Sequence, residues 1–151
     1  MKKIKSLCLV VMLGLVMLLL CSCAQAREKK EREMVTSFTL AAASETDLQQ
    51  LDLYPNLTEA DLRGSTCYEA VMAYIASHPG VQVTYDVAIG GRTYPMDTQS
   101  LVLEPDSFQI EELMERIHYL EKLSAIELPR TTLSPDLLGQ LQAAFPRIDF
   151  S

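Results

Sequence analysis

Histidine, cysteine and positive charge are all scarce in this chain, and each scarcity closes off a class of chemistry. The two histidines, His78 and His118, stand forty residues apart and fit no HExxH spacing, so that zinc signature is excluded. Both read as solvent-facing or helix-terminal residues. No GxSxG elbow, phosphate loop or dinucleotide fingerprint occurs, which removes those routes to hydrolysis and nucleotide binding. Thirteen Lys and Arg face twenty Asp and Glu, a net charge of −7, and nucleic acid is not an expected partner of so acidic a protein. Apolar runs are limited to Leu7–Leu20. As a helix these residues would cover about 21 Å, short of the ~30 Å hydrocarbon layer, so a stable membrane span is disfavoured.

The amino terminus carries a different signal. Lys2, Lys3 and Lys5 precede the apolar run, and Cys21-Ser22-Cys23 follows it, the layout of an export leader. Leu20-Cys21-Ser22-Cys23 resembles the lipobox of bacterial lipoproteins. That resemblance implies removal of residues 1–22, diacylglycerol on the Cys23 thiol, and acylation of the freed amine. The implied partner is a membrane, reached from the extracytoplasmic side through lipid on Cys23. More than one chain is needed for durable anchoring, because a single acyl chain holds only marginally. An ordinary secretory signal or an uncleaved anchor are the other readings of the segment.

Cleavage there would remove three lysines and no acid, moving the net charge from −7 to −10. Cys8 and Cys21 leave with the leader and Cys23 is used by lipid, so Cys67 is the remaining thiol. An intrachain disulfide, a cysteine metal site and a CxxC redox pair are then excluded, and no cofactor or metal is expected. Cys67 lies near a predicted helix start and reads as a small packing residue. Residues 23–36 form a charged segment containing Arg27-Glu-Lys-Lys-Glu-Arg-Glu33. Ala24–Thr36 reads as a tether, in part helical, whose charges form a solvated face; fully extended it reaches at most about 45 Å.

The rest of the chain repeats itself. Phe38 and Leu40 fall on Leu101 and Leu103, and Leu57, Ala60 and Leu62 fall on Leu123, Ile126 and Leu128. Val71, Met72 and Ile75 fall on Leu137, Leu138 and Leu141, Pro79 on Pro146, and Val81 and Val83 on Ile148 and Phe150, with an offset drifting from 63 to 67 residues. Two copies of about 66 residues, each strand-helix-strand-helix-strand, are expected. The helix signals are Ser44 before Leu48 and Leu51, a Thr66/Glu69 capping box, Asp106 before the Ile110, Leu113, Met114, Ile117 stripe, and Ser134-Pro135. His78-Pro79-Gly80 and Pro146 end two of them. Between the copies, Val81, Val83, Tyr85, Val87 and Ile89 alternate as one long strand, and Gly90-Gly91 predicts a hairpin over 81–95.

Leu-x-x-Ala/Ile-x-Leu at 57–62 and 123–128, with Val-x-Val-x-Tyr and Gly-Gly-Arg-Thr-Tyr-Pro, resembles the leucine-rich-repeat-like domains of bacterial surface lipoproteins over about residues 37–151. The resemblance implies a solenoid-like α/β stack, a mostly parallel sheet with helices on one face, used for binding or display. Arg63-Gly64 and Pro129-Arg130 replace the usual closing Asn, so a nearly flat stack is expected rather than a horseshoe. Its open sheet face should carry Thr39, Asp61, Thr84, Val102, Glu127 and Asp149. Asp61, Glu127 and Asp149 are the candidate binding face for a basic protein or peptide segment or a cation; as a bland alternative, acids keep an open sheet wet and block edge pairing. No catalytic residue is assigned.

An enzyme of another class, a cell-envelope glycan hydrolase, would draw its carboxylates from Asp106, Glu111, Glu112 and Glu115, although acids early in a helix also suit its dipole. The last predicted strand reaches the last residues of the chain, so a fragment or degenerate repeat is a further expectation. The anchoring reading is testable directly. Cys23→Ser should move the protein from the membrane fraction to the soluble fraction and remove the acyl mass by intact-mass measurement, and a variant that stays firmly membrane-bound would discard acylation at this residue.

Overall fold

The structure, a computed structural model, describes residues 27–104, 107–129 and 134–151. The leader, Cys23 and Asp106 lie outside them. Residues 27–33 are helical. There follow β1 (Ser37–Thr39), α1 (Glu45–Leu51), β2 (Glu59–Asp61), α2 (Tyr68–Ser77) and β3 (Gln82–Thr84). A hairpin of β4 (Asp86–Ile89) and β5 (Arg92–Pro95) comes next. Then come β6 (Ser100–Val102), α3 (Ile110–Arg116), a 3-10 turn (Ile117–Tyr119), β7 (Ala125–Glu127), α4 (Pro135–Ala144) and β8 (Asp149–Phe150).

The fold is mixed α/β, with parallel strands joined by helices as sequence periodicity predicts. The expected single sheet is corrected: parallel pairing is divided between two three-stranded sheets, β1-β2-β3 and β6-β7-β8, and β4-β5 is a separate antiparallel ribbon. The expected long strand over 81–89 is corrected as well, because it breaks at Tyr85. Val83, Tyr85, Val87 and Ile89 are all buried, so the alternation of side chains runs through the break and hides it. What changes is the partner. Residues before Tyr85 pair with β2, and those after it pair with β5.

Local chemistry explains the helix starts. Ser44 caps α1 in a full capping box with Asp47, and Ser134 caps α4 with Pro135 in its first turn, as the residue types demand. The Thr66/Glu69 box is not formed. Cys67 occupies the cap of α2 without a side-chain cap bond, and its thiol donates instead to the Ala43 carbonyl at 3.2 Å. Helix α3 is capped by Gln109 rather than near Asp106. A turn in which the Ser107 hydroxyl donates to the Glu104 carbonyl (2.7 Å) and Phe108 goes into the core delays the helix.

One apolar cluster spans the described residues. Leu62, Val71, Val87 and Ile89 are fully buried in it beside Leu113, Ile126 and Leu141. Burial of side chains of this size contributes about 1.5–3 kcal/mol each before entropy is charged against it. Among the described residues Ser65 is the buried polar residue; its hydroxyl donates to the Leu62 carbonyl (2.6 Å) and accepts from Ala43 N–H (3.0 Å). The hairpin ties the two sheet-bearing halves together. The Ala88 N–H donates to the Tyr68 hydroxyl of α2 (2.9 Å), and the Ala88 carbonyl accepts from Arg116 of α3. The Tyr85 hydroxyl donates to the Tyr119 carbonyl at 2.7 Å. Burial, aided by the Glu121 charge, pushes the Tyr85 phenol up to about 12, so it remains a donor at any physiological pH.

The hairpin turn uses its two glycines differently. Both have left-handed φ, +59° at Gly90 and +73° at Gly91, the signature of a type I′ turn. A Cβ on Gly90 would also lie 2.5 Å from the Ser107 carbonyl oxygen, whereas one on Gly91 meets nothing within 4 Å. Gly91→Ala should therefore cost about 1–2 kcal/mol, the penalty of left-handed backbone. Gly90→Ala should cost about 3 kcal/mol or more, since overpacking adds to that penalty. Urea denaturation of the two variants checks the difference, and equal losses would contradict the packing argument.

Candidate functional site

Side-chain alternation on three-residue strands settles which residues face out. Phe38, Ala60 and Val83 turn inward on the first sheet, and Leu101, Ile126 and Phe150 do so on the second. The opposite face of the first sheet then holds two cross-strand rows, Ser37–Glu59–Gln82 and Thr39–Asp61–Thr84. These six polar side chains line a depression of about 380 Å³. An adjoining hollow of about 350 Å³ shares Thr39 and Asp61 and reaches Arg63 and Asp86.

The predicted face residues lie on outer faces, but they are not one row. Asp61 belongs to the first sheet, and Glu127 and Asp149 to the second. Glu127 is exposed opposite Val102, while Asp149 lies opposite Ala125, so the two acids are offset along neighbouring strands. Val102, 60% exposed, puts an apolar group beside Glu127 at the edge of that second face.

Asp61 is also less free than its sequence suggests. Arg63 donates from Nε at 2.9 and 3.1 Å and from Nη2 at 2.6 Å to the carboxylate, a bidentate pairing. The Arg63 hydrogen bond holds the Asp61 carboxyl below its usual 3.8, with slight desolvation opposing it. Asp86 accepts from Gly64 N–H at 2.7 Å. The first face thus keeps Glu59 as its unpaired carboxylate among the described residues, beside hydroxyls and the Gln82 amide. Glu59 and Asp86 were not singled out from sequence, and Arg63 was named only where Arg63-Gly64 replaces the closing Asn. Glu59 and Arg63 stand two residues either side of Asp61, and period-two spacing alone would have placed them beside it.

Of the other candidates, Glu112 and the two histidines have structural partners. Glu112 pairs with Arg116 at 2.7 Å and accepts from Gly90 N–H at 3.4 Å, so it fastens α3 to the hairpin. Glu111 and Glu115 are exposed, and Asp106 lies outside the described residues. His78 is half-buried: its ring stacks on Tyr74 at 4.2 Å, Nδ1 is 3.1 Å from the Tyr74 carbonyl, and Nε2 is 3.2 Å from Asp52. This pair rims a small groove of about 250 Å³ between α1 and α2, floored by Leu48, Ala70, Ala73 and Tyr74. His118 sits in the 3-10 turn rather than in the helix before it, with its ring against Phe145 at 4.8 Å. Among the described residues no three His, Cys, Asp or Glu side chains gather as a metal set, and no helix is long and apolar enough to cross a membrane.

The Arg63 contact sets a pH dependence with a definite sign. A carboxyl depressed in the folded state contributes stability that is present above its unfolded value, near 3.8, and is lost as the pH falls through its lowered folded value. Arg63→Gln should return the Asp61 carboxyl midpoint toward 3.8 in a carbon-detected NMR titration. A midpoint unmoved by the substitution would remove Arg63 as the cause.

No protein-family model, curated protein or solved structure matches the chain.

Proposed function

We propose that the protein is a lipid-anchored extracytoplasmic lipoprotein whose α/β domain binds or displays without chemistry of its own. In this reading the domain is a small solenoid-like pair of copies, leucine-rich-repeat-like in plan. Its two outer sheet faces are offered to a basic protein or peptide segment. The observation that carries it is a matched hydrogen-bond scheme in residues 36–84 and 99–151. Thr58 N–H, Glu59 N–H and the Thr58 hydroxyl all donate to the Thr36 carbonyl. Ser124 N–H, Ala125 N–H and the Ser124 hydroxyl all donate to the Gln99 carbonyl. Gln82 N–H donates to Thr58 as Asp149 N–H donates to Ser124, and Leu40 N–H donates to Asp61 as Leu103 N–H donates to Glu127.

Element lengths support the same reading. Helices α1 and α3 have seven residues each, and α2 and α4 have ten. On that register Tyr74 falls on Leu141, both buried, a better match than Ile75. Stacked strand-helix layers of this kind bury one face of each strand and leave the other to solvent. The second link to function is charge: Asp61, Glu127 and Asp149 lie on those solvent faces, where complementary charge would set partner choice and encounter rate more than affinity.

Asp61→Lys, Glu127→Lys and Asp149→Lys combined should weaken binding of a fluorescent oligolysine probe about tenfold, equivalent to ~1.4 kcal/mol. Circular dichroism would verify that the fold survives, since all three side chains point away from the core. Unchanged probe binding by the folded triple variant would discard the basic-partner reading.

A further inference from the structure

The two parallel sheets carry an outer-face carboxylate at matching places, in surroundings that differ. Leu40 N–H donates to the Asp61 carbonyl as Leu103 N–H does to Glu127, and Leu62 N–H donates to the Thr84 carbonyl as Leu128 N–H does to Ser151. On that register Thr39, Asp61 and Arg63 answer to Val102, Glu127 and Pro129. In the first half an arginine covers the carboxylate: Nε and Nη2 of Arg63 reach the two oxygens of Asp61, at 2.9 and 2.6 Å. In the second half a proline stands at the arginine's place, and no Lys, Arg or His of the described residues pairs with the exposed Glu127. The cross-strand neighbour changes as well. Thr39 lies opposite Asp61, whereas Val102, 60% exposed, lies opposite Glu127.

We infer that Glu127 and Val102 form a receptor for one arginine side chain of a partner, doing between molecules what Arg63 does within the first half. The inference rests on the reading that the outer faces meet a basic protein or peptide segment, and it names the side chain and the place. The carboxylate takes a guanidinium as a fork, two N–H groups on two oxygens, the arrangement that Asp61 already holds. Val102 supplies what a carboxylate alone lacks. An arginine carries an apolar stem behind its charged head, and an exposed valine beside an exposed acid matches both parts of that side chain. A metal ion would gain nothing from the valine, and among the described residues no three His, Cys, Asp or Glu side chains gather to hold one. Lysine has a similar stem, but its compact ammonium is a point charge that cannot form the fork. Access is open, since β6 is an edge strand of its sheet and both side chains lie on the face away from the core.

Fluorescence anisotropy with oligoarginine and oligolysine probes of equal length tests this on the full chain, with circular dichroism to verify the fold of each variant. The unsubstituted protein should bind oligoarginine more tightly than oligolysine. Glu127→Gln should weaken oligoarginine binding about fivefold, the upper range for an exposed ion pair, and remove the preference. Pro129→Arg, which puts an in-chain arginine at the place of Arg63, should do the same with Glu127 intact. Val102→Thr, the residue of the first half, should weaken oligoarginine binding about twofold, as expected for loss of a small apolar contact. Equal losses on both probes in Glu127→Gln overturn the arginine receptor and leave the basic partner standing. Oligoarginine binding untouched by Glu127→Gln and by Pro129→Arg overturns it too. Tighter binding by Arg130→Gln would mean that the chain's own Arg130, outside the described residues, covers Glu127, which overturns a partner's arginine as occupant. Failure of the unsubstituted protein to bind either probe overturns the receptor and the basic-partner reading together.

Discussion

Both halves of the domain meet on the backbone of a single residue, Ala88. Strand β4 pairs with β5 on one side only, and an unpaired strand edge inside a fold leaves N–H and C=O groups that must be satisfied. At Ala88 the missing strand is replaced by two side chains, the Tyr68 hydroxyl accepting the N–H and Arg116 donating to the carbonyl. One comes from α2 and the other from α3, elements on opposite sides of the hairpin in sequence. Arg116 is itself steadied by Glu112, and its guanidinium lies 5.9 Å from the Tyr68 ring centroid. The Tyr68 ring in turn packs on Tyr119 at 5.0 Å. Removing either partner would leave a part-buried peptide group unpaired, a penalty toward the lower end of the ~1–3 kcal/mol that a buried group costs. The hairpin is in that sense a joint rather than an ornament.

This joint also accounts for the division of the sheet. Had the chain continued from β3 directly to β6, as a regular stack of layers would, a single parallel sheet could have formed. Instead the chain turns at Tyr85 and spends ten residues on a ribbon whose inward side chains, Val87 and Ile89, are fully buried. The apolar cluster is continuous across the ribbon even though the hydrogen-bonded sheets are not. Continuity of burial and continuity of hydrogen bonding are separate properties, and here the core keeps the first without the second.

Much of the fold was legible because it depends on local chemistry. The Ser44 and Ser134 caps, the proline at the start of α4 and the glycine pair at the hairpin each follow from what one or two residues can do. The inward residues of all six parallel strands follow from alternation. The strand break at Tyr85 was hidden because alternation survives it, and partner choice is a tertiary decision that no periodicity encodes. The Thr66 cap failed for a similar reason: Cys67 finds the carbonyl of Ala43, twenty-four residues away in sequence, and draws the chain past the expected cap. At the candidate face, the outward placement of Asp61, Glu127 and Asp149 was legible, but their separation onto two sheets was not, since nothing in the sequence marks the hairpin as a divider.

The segment before β1 shows how the same charges can be read two ways. Alternating Arg, Lys and Glu without apolar residues reads as a solvated spacer, and spacing by i,i+4 pairs supports a helix equally well. Exposed pairs of this kind contribute only about 0.3–0.5 kcal/mol each, too little to hold seven residues helical by themselves, given the cost of nucleating a helix. What decides the matter is at the helix end, where the Asn56 amide donates to the Glu33 carbonyl and Val35, partly buried, packs against the core. Tertiary contacts then fix the last turn, and the ion pairs need only extend it backwards. The reach of the segment is shortened accordingly, because a helical residue advances about 1.5 Å where an extended one advances about 3.4 Å. Residues 27–33 are thus a short helix continuous with the fold and not an extended spacer.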